Sequence, residues 1–188
     1  VYPGQSPETT AAKDKEKDEA KSKVRIYDDL MVRHWNEWDS GKRSHLFVAD
    51  AKTGEAVDLT PKLAVNTPPA PFGGSNDYVW SADGRTLAFT AEPMKDAAWS
   101  TNTDLWLVPV EGGEPTNLTA DNPAADASPA FSPDGKHLAY IAQARPGFES
   151  DLWVLKVRDL ASGETKDVSS YLDRPIQGFA WKNADELV

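Results

Sequence analysis

One turn, present twice and echoed a third time, constrains this chain more than any other feature. In Ser132-Pro133-Asp134-Gly135 each residue suits a type I turn: Ser opens it, Pro presets φ, Asp follows, and Gly stands where a left-handed residue is wanted. The alternating segments on either side, Ser128–Phe131 and Lys136–Ala142, must then fold back on each other as a β-hairpin. An earlier copy, Ser81-Ala82-Asp83-Gly84, keeps the preceding aromatic, the Asp-Gly pair and the following Leu in the same places, with Phe131 standing 51 residues after Trp80. The weaker third copy spans Ile176–Val188, where Glu186 replaces the glycine and Trp181 stands 50 residues after Phe131.

A second unit alternates with the first. Asp104-Leu105-Trp106-Leu107-Val108, followed by Gly112-Gly113-Glu114, is matched by Asp151-Leu152-Trp153-Val154-Leu155 with Gly163-Glu164, and earlier by His45-Leu46-Phe47-Val48 with Gly54-Glu55. The interval is 47 residues between Trp106 and Trp153 but 50 between Gly113 and Gly163. Four short strands recurring every 50 residues or so are the signature of a β-propeller blade. The fold class expected is therefore all-β: a β-propeller fragment of about three to four four-stranded blades, with a long insertion in the first. The segments expected are 4–42 for the insertion, 43–60 for the end of the first blade, 77–119 for the second, 128–169 for the third and 176–188 for the start of a fourth. A closed propeller uses about four to eight blades, so the chain is expected to be a piece of a longer polypeptide.

Within the strands both faces are apolar. Leu138, Tyr140 and Ala142 alternate with Ala139 and Ile141, and Leu105 and Leu107 with Trp106, Val108 and Val110, as blade-on-blade packing requires. Trp80, Trp106, Trp153 and Trp181 recur at blade positions and are expected in the core. The formal net charge of −10 argues against nucleic acid or an anionic lipid surface as partner. The absence of cysteine excludes a disulfide framework, a thiolate metal site and a cysteine nucleophile. No membrane-spanning run is visible.

The insertion has two halves. Glu8–Lys23 is built of Lys, Glu, Asp, Ala, Ser and Thr without an aromatic, and reads as a mobile loop or a solvated helix, with Lys15/Glu19 and Glu19/Lys23 as supporting pairs. Val24–Trp38 is rich in aromatic and β-branched residues and reads as ordered. Pro61–Asn76, with four prolines and Gly73-Gly74, is a long link to the second blade, where Ala120–Ala127 suffices for the next.

The Trp/Phe-Ser-x-Asp-Gly-x-x-Leu-Ala hairpins and the Asp-Leu-Trp segments resemble the N-terminal propeller of prolyl oligopeptidase family serine peptidases. Tyr27-Asp28-Asp29-Leu30-Met31-Val32-Arg33-His34-Trp35 is similar to the bacterial dipeptidyl aminopeptidase and acylaminoacyl peptidase branch, and TolB-type propellers share the hairpins. The resemblance implies a non-catalytic, substrate-gating propeller stacked on a C-terminal α/β-hydrolase domain that carries the Ser-Asp-His triad and cleaves dipeptides or acylated residues from small peptides. It also favours a periplasmic or secreted protein, with the cytoplasm as the alternative. No Gly-x-Ser-x-Gly nucleophile elbow occurs in the 188 residues, so no catalytic residue is assigned here. The alternative is a TolB-like propeller that binds a protein partner and has no attached enzyme.

Candidate substrate-binding residues are Arg33, His34, Trp35, Glu37 and Trp38, which end an insertion too long for a simple turn on a rigid scaffold. If extended, this segment places His34, Asn36 and Trp38 on one side and Arg33, Trp35 and Glu37 on the other. Glu37 is then expected to hold a peptide ammonium, unless the two tryptophans only staple the insertion down. No metal or cofactor is expected. His34, His45 and His137 lack ligand spacing, and Asp121-Asn122-Pro123 with Asp126 lacks the alternation of a calcium loop.

Overall fold

The computed structural model describes residues 1–92 and 97–188. Its elements in chain order are helix α1 (Pro7–Glu19) and twelve strands. The strands are β1 (Arg33–His34), β2 (Glu37–Trp38), β3 (Phe47–Ala49), β4 (Ala56–Asp58), β5 (Tyr78–Trp80), β6 (Thr86–Ala91), β7 (Asp104–Pro109), β8 (Thr116–Asn117), β9 (Asp126–Phe131), β10 (His137–Ala142), β11 (Val154–Asp159) and β12 (Thr165–Asp167). Two sheets are complete four-stranded antiparallel meanders, β5-β6-β7-β8 and β9-β10-β11-β12. β3 and β4 form a shorter sheet of the same kind. The fold is all-β and propeller-like, each meander being one blade. Past the third blade the chain forms a small hairpin in which Ala180 and Val188 exchange backbone hydrogen bonds of 2.8 and 2.9 Å.

The repeated turn is built the same way in both blades. Ser132 Oγ donates to Asp134 Oδ1 (2.6 Å) and accepts from the His137 N–H (2.9 Å), and the Gly135 N–H donates to Ser132 O (2.9 Å). Ser81 repeats these contacts with Asp83, Thr86 and Gly84 at 2.7, 3.0 and 2.9 Å. Gly84 and Gly135 have φ of 68° and 71°, the left-handed conformation in which a Cβ is strained. A second local device closes the outer hairpins of the first and third blades. Asp50 Oδ1 accepts from the N–H groups of Lys52 and Thr53, and Asp159 Oδ1 accepts from those of Ala161 and Ser162.

Strand register corrects one sequence equivalence. Thr60 Oγ1, Thr119 Oγ1 and Ser169 Oγ accept from the N–H groups of Leu46, Leu105 and Leu155, always 14 residues earlier. Leu155 therefore occupies the place of Leu105, and the structural period between these blades is the 50 of the glycines, not the 47 of Trp106 and Trp153. Asp151-Leu152-Trp153 lies ahead of β11, where Asp151 caps the Ala144 and Arg145 N–H groups instead of opening a strand. The register follows the hairpin turn, because backbone bonds must match on both sides of it, whereas a similar tripeptide can slide.

Alternation on β6 fills two seams. Leu87, Phe89 and Ala91 pack with Leu46, Leu59, Leu63, Val65 and Val108 between the first and second blades. Ala88 faces the opposite way and joins Leu105, Leu138, Tyr140 and Ala142 between the second and third. Phe89 is 0% exposed, and its burial stabilises the fold by about 1.5 to 3 kcal/mol. Trp106 packs against the first seam, but Trp80 is 47% exposed and does not join the core: β5 is an edge strand that turns Val79 inward and Trp80 outward. Trp181 is partly buried and donates from Nε1 to Ala130 O at 3.0 Å.

The first half of the insertion is the solvated helix α1. Ser6 caps it by accepting from the Thr9 N–H (3.3 Å), Pro7 sits in the first turn, and only Thr10 is buried. Tyr2 ties the helix down: its OH donates to Asp14 (2.9 Å) and accepts from Lys17 (2.7 Å). Lys15 and Glu19 pair at 3.9 Å. The second expected pair, Glu19 with Lys23, does not form; the helix ends at Glu19 with Ala20 extended, and Lys23 donates to Asp18 O instead. Among the described residues no helix is long and apolar enough to cross a membrane.

Candidate functional site

The second half of the insertion folds into a two-stranded hairpin above the first seam. β1 pairs Arg33 with Trp38 and β2 pairs Glu37 with His34, so the chain reverses at Trp35-Asn36. This corrects the extended reading: cross-strand pairing, not alternation along one strand, decides which side chains are neighbours. Trp35 has φ +46°, a conformation uncommon for a bulky residue, and the Arg33 guanidinium donates to its carbonyl.

Aromatic stacking braces the hairpin within the insertion, and one ion pair ties it to the start of the blade. The Tyr27 ring stacks on Trp38 at 6.2 Å and its OH donates to Asp39 O (3.0 Å), while the Arg25 guanidinium lies 6.0 Å over Trp38. Arg43 grips Asp39 with both terminal nitrogens at 2.9 and 3.0 Å. That fork holds the Asp39 carboxyl below its usual range and raises Arg43 in turn.

Arg33, His34, Trp35, Glu37 and Trp38 all line one cavity of about 900 Å³, together with Asp39, Arg43, Val65, Pro71, Glu92 and Ala97 among others. Its wall is aromatic. Trp35 is 65% exposed, its ring edge-on to His34 at 5.0 Å and to Phe72 at 5.7 Å, and Phe72 is itself 83% exposed. Its charged floor is Arg43 and Glu92. Burial pushes the Glu92 carboxyl above its ordinary value, with the Arg43 charge opposing that effect. The Arg43 fork is already filled by Asp39, which leaves Glu92, with Glu37 and Asp29 on the same cavity, as an acidic group that a cation entering it meets.

Sequence reasoning placed the five hairpin residues in one segment but missed Phe72 and Glu92. Phe72 is the lone aromatic of the proline-rich link, a weak signal. Glu92 follows directly on β6, and nothing local distinguishes it. The histidines stand apart: His34 is in the cavity, His45 Nδ1 lies 2.7 Å from Asp58 with its side chain fully buried, and His137 stacks on Trp181 at 6.4 Å. Among the described residues no group of three or more His, Asp or Glu is placed to hold a metal ion. Asp121 lies on the surface, and Asn122 donates to Asp126.

No protein-family model matches the chain. It is 34% identical over 166 residues to dipeptidyl-peptidase 5 of Porphyromonas gingivalis, covering 86% of this chain and 24% of that protein. It is 35% identical over 186 residues to a probable dipeptidyl-peptidase 5 of Arthroderma benhamiae, covering 88% and 26%, and 31% identical over 185 residues to one of Emericella nidulans, covering 89% and 26%. The chain thus spans about a quarter of the length of the curated relatives it matches. Among solved structures, TolB from Acinetobacter baumannii superposes with a TM-score of 0.45 at 17% identity, over 65% of this chain and 26% of that one.

Proposed function

From a chain that is a propeller segment homologous to the dipeptidyl-peptidase 5 proteins, we infer the substrate-gating portion of a serine exopeptidase that releases dipeptides or acylated residues from small peptides. The observation that carries this reading is the identity of 34% over 86% of the chain to a dipeptidyl-peptidase. The nucleophile, its Asp and His partners and the oxyanion hole belong, on this reading, to a C-terminal α/β-hydrolase domain of the parent protein. The propeller binds and orients; it does not cleave. We place the parent in the periplasm or outside the cell, on the resemblance alone.

The hairpin cavity is then one lip of the substrate passage. Trp35, with Phe72 edge-on behind it, offers an apolar wall for the first side chains of a peptide, and the carboxylates of Glu37 and Glu92 attract its terminal ammonium, as the chain's acidity does at longer range. Arg33 and His34 flank the turn that carries Trp35, and Trp38 anchors it through Tyr27.

The test is made in the full-length enzyme. Trp35→Ala and Glu37→Gln are expected to lower kcat/KM for dipeptidyl substrates on the order of tenfold, with little change in melting temperature, because both side chains are exposed. Unchanged kinetics with a lowered melting temperature leaves these residues only the role of stapling the insertion.

A further inference from the structure

The seam between the second and third blades has a polar end that the reading above does not use. Asp126 opens β9 and is 1% exposed. Its backbone stitches the blades together: the N–H donates to Thr103 O and the carbonyl accepts from Thr103 Oγ1, both at 2.8 Å, while the residue pairs with Ala142 of β10. Its carboxylate is poorly served. Oδ1 accepts from Asn122 Nδ2 at 3.0 Å, an amide that also donates to Gln143 O at 3.1 Å, and Oδ2 is buried with no hydrogen-bond partner.

A second buried acid stands beside it. Asp104, 5% exposed, accepts from Asn102 Nδ2 at 3.2 Å and Asn117 Nδ2 at 2.8 Å, and burial raises its carboxyl too. Asn102 Oδ1 is another buried acceptor without a donor. Because Thr103 lies between Asn102 and Asp104 and is bonded twice to Asp126, these groups adjoin across the seam. Acceptors therefore outnumber donors there, and two carboxylates share a site closed to water. A single proton on Asp126 removes one charge and turns an orphaned acceptor into a donor.

We propose that Asp126 is a proton-operated latch between the second and third blades: neutral, it closes the seam; ionised, it leaves an uncompensated charge beside Asp104 and lets the two sheets part more readily. The surrounding groups support this assignment. From the start of β7 and the two residues before it come Asp104, Asn102 and Thr103, from β8 and the following link Asn117, Thr119, Asp121 and Asn122, from β10 and the residue after it Tyr140 and Gln143, and from β11 Lys156 and Arg158. Lys156 is committed to Asp167 at 3.2 Å and Arg158 reaches toward Thr165 at 3.3 Å; the Asn122 and Thr119 side chains and, less, the Lys156 charge favour the ionised form of Asp126, and burial outweighs them. Burial, with Asp104 adding to it, pushes the Asp126 carboxyl up to about 7, and the Asp126 charge helps burial push Tyr140 up to about 12. The latch thus works near neutral pH. The sign follows from the raised folded value: the stabilising contribution is complete at acid pH and is lost as pH rises from the ordinary carboxyl range to about 7.

The test is hydrogen exchange on the full-length protein, read as the protection factor for the Asp126 amide, whose acceptor, Thr103 O, belongs to the second blade. Protection is expected to fall on the order of tenfold between about pH 5.5 and 8.5, relative to the β6–β7 amides. In Asp126→Asn, a neutral group with its own donor, it is expected to stay level. A level wild-type profile, or a variant that follows the same fall, overturns the latch. The wild-type chain supplies a second reading that needs no variant: the Asp126 side-chain carbon is expected to titrate near neutrality, and a midpoint in the ordinary carboxyl range overturns the proposal.

Discussion

Ser132→Ala, in the second of the two matched turns, is expected to destabilise the chain by about 2 kcal/mol, and Ser81→Ala, in the first, by about 1 kcal/mol. The two hydroxyls make the same pair of bonds, donating to the turn aspartate at 2.6 and 2.7 Å and accepting from the strand N–H at 2.9 and 3.0 Å. They differ in burial: Ser132 is 1% exposed, while Ser81 is only half-buried. Deleting the almost wholly buried Ser132 Oγ leaves the part-buried His137 N–H without its partner, a loss of about 1 to 3 kcal/mol, while the aspartate, which faces solvent, is rehydrated and adds little. At Ser81 water replaces more of what is lost, leaving a net contribution of about 0.5 to 1.5 kcal/mol. Urea unfolding of both variants at pH 7 measures the difference, with an unchanged m-value as the control for compactness. The corresponding fall in melting temperature for Ser132→Ala is about 4 to 8 °C. Equal losses, or a larger loss at Ser81, refute the argument from burial and assign the turn's stability to its backbone bonds.

Phe89→Ala removes a side chain that is 0% exposed in the first seam and is expected to cost about 3 to 5 kcal/mol, whereas Phe47→Ala, at 41% exposure, is expected to cost less than about 1.5 kcal/mol; thermal unfolding distinguishes them. Arg145, together with the N–H groups of Ala144 and Arg145, holds the Asp151 carboxyl well below the usual carboxylate range, so its contribution is present above about pH 4 and is lost as pH falls further. An acid titration of unfolding is expected to be shallower for Asp151→Asn than for the wild type. Ser6→Ala removes the α1 cap and is expected to reduce helical circular dichroism and cost about 1 kcal/mol. The purified chain is expected to release no chromophore from dipeptidyl chromogenic substrates; release blocked by a serine-directed inhibitor contradicts its role as a gate.

Features made by residues close in sequence were legible before the fold. Both Ser-x-Asp-Gly turns rest on contacts within one hairpin, where residue type alone selects the conformation, and the spacing of 50 between Gly113 and Gly163 and the two-sided apolar strands are patterns read directly along the chain. The five hairpin residues were found because an aromatic-rich stretch inside a polar insertion is itself a local signal. Its reversal at Trp35 was not, since nothing in Trp-Asn announces a positive φ. Tertiary structure alone decided the rest. Phe72 reaches Trp35 from another link, Glu92, half-buried after β6, shares a cavity with the insertion, and Trp80 stays outside the core because β5 lies at an edge. Asp126 looked like one polar residue in a connecting segment, yet Thr103, Asn122 and Ala142 close around it from two blades. The state of a carboxylate depends on which dipoles and charges surround it and on whether water can enter, and those surroundings are assembled from segments far apart in the chain.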